Sequence, residues 1–270
     1  MKTEVSICIL THNRSFHFAQ CIASIRQFTK SPYVIKVLDV GSDLNHIEHM
    51  RQFAGQDIEF GYCADFLSCL DGRRRLLRLV DTEFVVYLDD DIRVGPAWLE
   101  NLLIPMRNDE SAGAVASNLI QEAREHTSGV RYLEQKGRAL TVRHHEVNYT
   151  GTAPICVGGA TLYRFDALQA TEYRPEFAGG YEDWDQTLQI SKDQSLNIYG
   201  SRSTVFHRHL PECRDYFADR WRWADLMESA LGMFDRWKIR TAVDKVLRHY
   251  LEKEIVISRE HAERIVEVIT

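Results

Sequence analysis

Two groups of acids in this chain have the residue types and spacing to do chemistry together: Asp89-Asp90-Asp91 and Glu182-Asp183. Adjacent carboxylates repel one another, and a neutralising cation is the main reason to keep three together. Oxygen ligands suit Mg²⁺ or Mn²⁺, which commonly bridge to substrate phosphates. The competing reading of the triplet is a solvated acidic turn. Glu182-Asp183 stand at the start of a helical pattern continued by Leu188 and Ile190. A helix N-terminus favours an anion there, and an ionised carboxylate is a sensible general base. The competing reading of this pair is an acidic N-terminal cap. Between the two groups, Arg73, Arg74, Arg75 and Arg78 crowd one predicted helix over residues 66–80. For any one of them a solvated helix face is the plainer account, but a run of three near acids is also what a diphosphate wants.

The elements that position these groups follow from periodicity. Residues 84–88 read as a buried strand that ends at the triplet, and ligands of open α/β sheets bind outside the carboxyl ends of strands. Upstream, a strand from Val5 closes with Thr11-His12-Asn13-Arg14. A helix carrying Phe18, Cys21, Ile22, Ile25 and Phe28 follows, then a strand over 33–40, which makes a βαβ unit with parallel strands. A short helix over 47–53 and a third strand over 58–62 precede the arginine helix. After the triplet, Gly95-Pro96 opens a helix with Trp98, Leu99, Leu102, Leu103 and Met106 buried, and residues 112–117 form a strand. Residues 120–150 show no clear period and are expected to be an irregular excursion over the cleft, where loops carry specificity. Residues 154–163 read as a strand interrupted by Gly158-Gly159, a mark of a bulge or of close backbone approach to a ligand. Two short strands, 197–199 and 204–206, come next, the second running into His207-Arg208-His209. Beyond Pro211, Phe217, Trp221, Leu226, Leu231 and Phe234 indicate helix, and Val243 to Leu251 a last amphipathic segment.

The chain has 270 residues, 44% hydrophobic and 27% charged, with a net charge of −6. That balance is ordinary for a globular protein and argues against a dedicated nucleic-acid binder. The six cysteines are scattered without a CxxC pair, which favours reduced, mostly buried thiols in a cytoplasmic protein. No apolar run reaches the length of a membrane span. Peripheral membrane contact stays open, as does a homodimer, because Trp221, Trp223, Phe234 and Trp237 could rest on a membrane or a partner subunit; packing on the α/β domain is the favoured reading. The predicted organisation is an α/β domain over 1–210 and a helical extension over 211–270.

Four motifs in fixed order carry a family resemblance. They are Val5-Ser6-Ile7-Cys8-Ile9-Leu10-Thr11-His12-Asn13-Arg14, Leu38-Asp39-Val40-Gly41-Ser42, Tyr87-Leu88-Asp89-Asp90-Asp91, and Gly179-Gly180-Tyr181-Glu182-Asp183-Trp184-Asp185. Together, over about residues 4 to 209, the chain resembles the family-2 glycosyltransferases. The resemblance implies a GT-A fold: a mostly parallel, Rossmann-like sheet flanked by helices, here with a helical C-terminal extension. It also implies inverting, metal-dependent transfer of a sugar from a nucleoside-diphosphate sugar to a hydroxyl of a glycan, lipid-linked sugar or small molecule. UDP is the nucleotide by family frequency, with GDP or dTDP as alternatives. By the same resemblance Asp91, Asp89 and His207 hold Mn²⁺ or Mg²⁺, with Asp90 supporting, and His207 is equally readable as structural. Thr11, Asn13, Arg14, Asp39, Arg73, Asp89 and Asp90 would bind the nucleotide sugar, and Arg74 or Arg75 would share the phosphates. Asp183 would be the base and Glu182 would orient the acceptor. Trp184 is read equally as a pocket wall or as core, and Asp185 as a helix cap. Val40 departs from the family pattern, which often has a second acid there. Two rival readings are a sugar-binding protein without turnover and a sugar-phosphate nucleotidyltransferase. The second lacks its Gly-rich loop, because Thr11-His12-Asn13-Arg14 is no such loop.

Overall fold

The computed structural model describes residues 3–55, 57–121, 126–207 and 220–269. The first half alternates strand and helix: β1 (Val5–Thr11), α1 (Ser15–Phe28), β2 (Tyr33–Val40), α2 (Leu44–Arg51), β3 (Ile58–Cys63), α3 (Cys69–Leu77) and β4 (Phe84–Asp89). Then come β5 (Ile92–Val94), α4 (Trp98–Asn108), β6 (Ala112–Gln121), β7 (His126–Thr127), β8 (Val130–Lys136), β9 (Ala139–His144), β10 (Ile155–Cys156) and β11 (Ala160–Arg164). The chain continues through α5 (Phe165–Gln169), α6 (Glu182–Leu188), β12 (Asn197–His207), α7 (Arg220–Trp237), α8 (Arg240–Glu252) and α9 (Arg259–Ile269).

The main sheet runs β3-β2-β1-β4-β11-β6-β12-β5. Its first four strands are parallel. β11 lies antiparallel between β4 and β6, β12 runs parallel to β6, and β5 closes the far edge antiparallel to β12. The expected GT-A architecture is present, and helices cover both faces. On β4, Phe84, Val86 and Leu88 enter one buried cluster with side chains of α1 and α4. Val85 and Tyr87 enter the cluster on the other face, with Leu76 of α3. Burial on both faces is why these strands read as continuous apolar runs. Alternation carries past the core, so Asp89 emerges on the α3 side with Tyr87.

Only Asp90 and Asp91 separate β4 from β5 in the chain, yet β5 stands at the end of the strand path, beyond β11, β6 and β12. The sheet must curl to bring β5 back, and the acidic triplet sits at that corner. The register then sets His207 opposite Ile92, one residue from Asp91.

The structure corrects several readings. Residues 120–150 are not irregular throughout: β8 and β9 form a hairpin and, with β10, a separate three-stranded sheet. One edge of that hairpin is solvated and its apolar residues are sparse, which hides its period. The two strands read over 197–199 and 204–206 are one strand, β12, with a register shift between Gly200 and Thr204. The arginine helix is shorter than 66–80, because Ser68 caps it by accepting from Asp71 N–H at 3.1 Å. Helices α5 and α9 add to those expected. The readings that rest on Arg208, His209, Pro211, Cys213 and Phe217, and the proposed 210/211 boundary, lie outside the described residues, as does the side chain of Trp221.

A third cluster joins Trp184 and Leu188 of α6, Ile155 of β10 and Val142 of β9 to Trp223, Met227 and Leu231 of α7 and Val243 and Val246 of α8. The aromatic C-terminal segment therefore packs inward. No helix among the described residues is long and apolar enough to cross a membrane. The five described cysteines are free thiols, all buried except Cys69.

Candidate active site

At the sheet corner, one ligand atom each from Asp89, Asp91 and His207 lies within 4.8 Å of the others. His207 Nε2 is 3.1 Å from Asp91 Oδ1. Burial works against the His207 imidazolium, but the hydrogen bond and charge of Asp91 outweigh it and raise its pKa. Two carboxylates and an imidazole form a donor set that fits a divalent cation. Asp90 turns away from this set. Its Oδ2 accepts from Thr11 Oγ1 at 2.7 Å and its Oδ1 from Arg14 Nη1 at 3.1 Å. Arg14 Nη1 also reaches Asp91 Oδ2 at 3.3 Å. Burial, reinforced by the Asp91 charge, pushes the Asp90 carboxyl from 3.8 up to about 7, against the pull of Arg14 and Thr11. Thr11 and Arg14 are thus clamps on the triplet.

The two turns beside the corner are tied together. Asn13, at φ 52°, donates its N–H to Ser42 Oγ at 2.7 Å, and its Oδ1 accepts from Asp43 N–H at 2.8 Å. Asp39 is fully buried at the end of β2. One of its oxygens accepts from Ser42 N–H at 3.1 Å, while Oδ2 has no partner. Val40 packs into the core, so Asp39 is the acid left in this turn. Beside it His12 Nδ1 lies 2.8 Å from Val40 O, and the His12 ring meets Phe66 edge-on at 5.1 Å. Phe66 is 42% exposed, an apolar face beside the His12 ring.

Arg73 corrects the reading of its helix. It is buried, not solvated, and its fork bridges the two acid groups: Nη2 to Asp89 Oδ1 at 2.9 Å and Nη1 to Glu182 Oε1 at 2.8 Å. The guanidinium lies over the Tyr87 ring, 5.2 Å from its centroid. Arg74, Arg75 and Arg78 point elsewhere, into a cavity of about 460 Å³ shared with Leu67, Asp71 and Tyr173. They do not meet the triplet.

Asp183 Oδ2 accepts from Gly158 N–H at 2.5 Å and Oδ1 from Trp184 N–H at 2.9 Å. The glycine pair explains the closeness of the two acid groups. A Cβ at Gly158 would stand 3.0 Å from Asp183 Oδ2, and one at Gly159, where φ is +109°, 3.4 Å from Asp89 Oδ2. Burial is the largest influence on both Glu182 and Asp183. It raises Asp183, with the two backbone N–H groups pulling the other way. It also pushes Glu182 to about 7, opposed by Arg73 and assisted by Asp183. Helix position therefore does not hold this pair at an ordinary carboxylate pKa; removal from water wins.

The neighbours of the pair are structural. Trp184 is buried in the third cluster, edge-on to Tyr181 at 5.1 Å. Asp185 is no solvated cap: it is buried and accepts from Arg174 Nη1, Trp237 Nε1 and Gln189 Nε2, each at 2.7 Å. Sequence reasoning misses His12, Phe66 and Arg131, a buried side chain on β8 close enough to Asp183 to feel its charge. His12 stands in a quoted motif and was legible by place; Arg131 lies in a stretch without period and carries no signal.

A family model described as glycosyl transferase family 2 matches residues 6–171 of the 270. The match runs from β1 through α5 and includes the triplet and Arg73. A search of curated proteins found no match.

Proposed function

The chain belongs to glycosyl transferase family 2, and from that premise we propose an inverting, metal-dependent transfer from a nucleoside-diphosphate sugar, UDP-linked by family frequency, to an acceptor hydroxyl. The observation that carries this reading is the bridge made by Arg73 between Asp89 and Glu182. It supports the reading because it ties Asp89 of the triplet to the Glu182-Asp183 pair across one cleft.

Asp89, Asp91 and His207 would hold Mn²⁺ or Mg²⁺. When bound, the cation neutralises charge on the departing diphosphate, as a Lewis acid does. Arg14 and Arg73 add positive charge beside the same phosphates. The Asp39 turn, with Phe66 and His12, is the place for the base and ribose. On the opposite side, Asp183 takes the proton of the attacking hydroxyl. Its raised pKa makes it a stronger base, and its two backbone donors aim it. Glu182, fixed by Arg73, orients the acceptor. The acceptor oxygen bonds to the anomeric carbon as the bond to the diphosphate oxygen breaks, and attack from the face opposite the leaving group inverts configuration. The helical extension over 211–270 belongs to the acceptor side of this reading.

A screen of nucleotide sugars for Mn²⁺-dependent thermal stabilisation tests the donor assignment. Stabilisation by one nucleotide class with Mn²⁺ and its loss with EDTA are expected. Equal stabilisation with and without metal would overturn metal dependence, and none by any nucleotide sugar would overturn the donor reading.

A further inference from the structure

Arg131 makes no direct ion pair with any acid among the described residues. It is 5% exposed on β8, and its Nη1 donates to the backbone carbonyls of Val130, at 2.9 Å, and Ser128. Its Nε and Nη2 donate to no described residue. Burying an unpaired charge is costly, and burial pulls this guanidinium down to about 10. A fold that retains such a group gains when a ligand brings the counter-charge.

Two more bases stand with it. His144 of β9 is the direct cross-strand partner of Arg131, which puts both side chains on one face of the small sheet. That face packs on α8 through Leu133 and Val142, and Val142 N–H donates to Thr241 Oγ1 at 2.8 Å. Lys245 projects from α8 beside them, without an ion pair among the described residues. It feels the charges of both Asp183 and Arg131, and His144 feels those of Arg131 and Lys245. The charges acting on Arg131 include Asp183 and none of Asp89, Asp91 or Glu182. Arg131 also stands opposite Ile155 of β10, three residues before the Gly158 N–H that Asp183 accepts from, so the group sits on the Asp183 side of the cleft.

We infer that Arg131, His144 and Lys245 form the seat of an anionic group, a phosphate or carboxylate, carried by the acceptor close to its attacking hydroxyl. This rests on the transferase reading and narrows its acceptor. The planar fork of Arg131 matches either anion, and the two flanking bases complete a cationic rim.

Binding of glucose 6-phosphate, glucuronate and glucose to the full chain tests it, measured by calorimetry with and without saturating Mn²⁺ and UDP. The anionic sugars should bind at least about tenfold more tightly than glucose. Arg131→Met should remove that preference while Mn²⁺–UDP affinity stays the same, and Lys245→Gln should weaken it about threefold. Preference for the phosphate or for the uronate supports the proposal in either case and says which anion is read. Equal binding of all three sugars, or an undiminished preference in Arg131→Met, overturns it. If that variant does not fold, the His144→Gln/Lys245→Gln pair decides on the same criterion. A preference abolished by bound Mn²⁺–UDP also overturns it, because the anion was then in the diphosphate's place. Failure of Mn²⁺–UDP to bind at all counts against the UDP assignment of the proposed donor alone, and the sugar comparison with Arg131→Met still stands.

Discussion

The two acid groups on either side of Arg73 are restrained by different kinds of partner. At the sheet corner, Asp90 and Asp91 are held by a hydroxyl, a guanidinium and an imidazole. Across the cleft, Asp183 is held by two backbone N–H groups. Side-chain cations neutralise the corner, and another cation could replace them there. Peptide dipoles aim an oxygen without supplying a full charge, so the acid they hold can still gain and release a proton. One side is built to keep its charge balanced, the other to let it change.

The sharpest way to break the contrast is Asp91→Ala, which should abolish transfer and weaken Mn²⁺-dependent nucleotide binding by about a hundredfold. Calorimetry with and without Mn²⁺ reads it, and retained metal-dependent affinity would remove Asp91 from the ligand set. Asp183→Asn should lower kcat by about a thousandfold, within the range of general-base catalysis, with nucleotide affinity unchanged. Comparable activity in the variant would transfer the base role elsewhere. Arg73→Met should lie between the two, with kcat down about a hundredfold and nucleotide binding down about tenfold, because its ion pairs reach both sides. An effect on only one of the two parameters would mean that the bridge serves one side alone.

A smaller effect, read in stability, tests how far the corner keeps its charge. The Asp90 carboxyl rises from 3.8 to about 7 in the fold, so between those values the folded chain holds a proton that the unfolded chain has released. Its contribution is fully present below about pH 4 and is lost as pH rises through about 7. Thermal melts of the metal-free protein should show this slope, and Asp90→Asn should flatten it. Smallest for function is Asp185→Asn, which should cost about 2 kcal/mol of stability through Arg174 and Trp237, with nucleotide affinity intact.

The half of the site proposed to bind the donor is largely legible in the sequence because its parts are local. A buried strand, an acidic corner at its end and a βαβ unit each announce themselves within a few residues. His207 is harder: its meeting with Asp91 depends on a curl of the sheet that no local pattern encodes, and only family resemblance points to it. Arg73 is singled out only by family resemblance, because three arginines in a row look solvated and nothing local marks the one that turns inward. Asp185 misleads for the same reason, since its partners Arg174 and Trp237 come from distant segments. The group proposed to seat the acceptor is least legible. Arg131, His144 and Lys245 come from a half-solvated hairpin and a helix far along the chain, brought together by packing against Val142 and Val243.

The adjacency of Gly158 and Gly159 has a consequence for how such a chain can change. One peptide link backs Asp183 on one side and Asp89 on the other, so in the proposed reaction it would work as a gauge for the transfer distance. Hairpin, C-terminal helices and rim can be rewritten for new acceptors while the gauge stays at its length. Changing the gauge itself, even by a methyl group, alters the reach of the reaction for every acceptor at once.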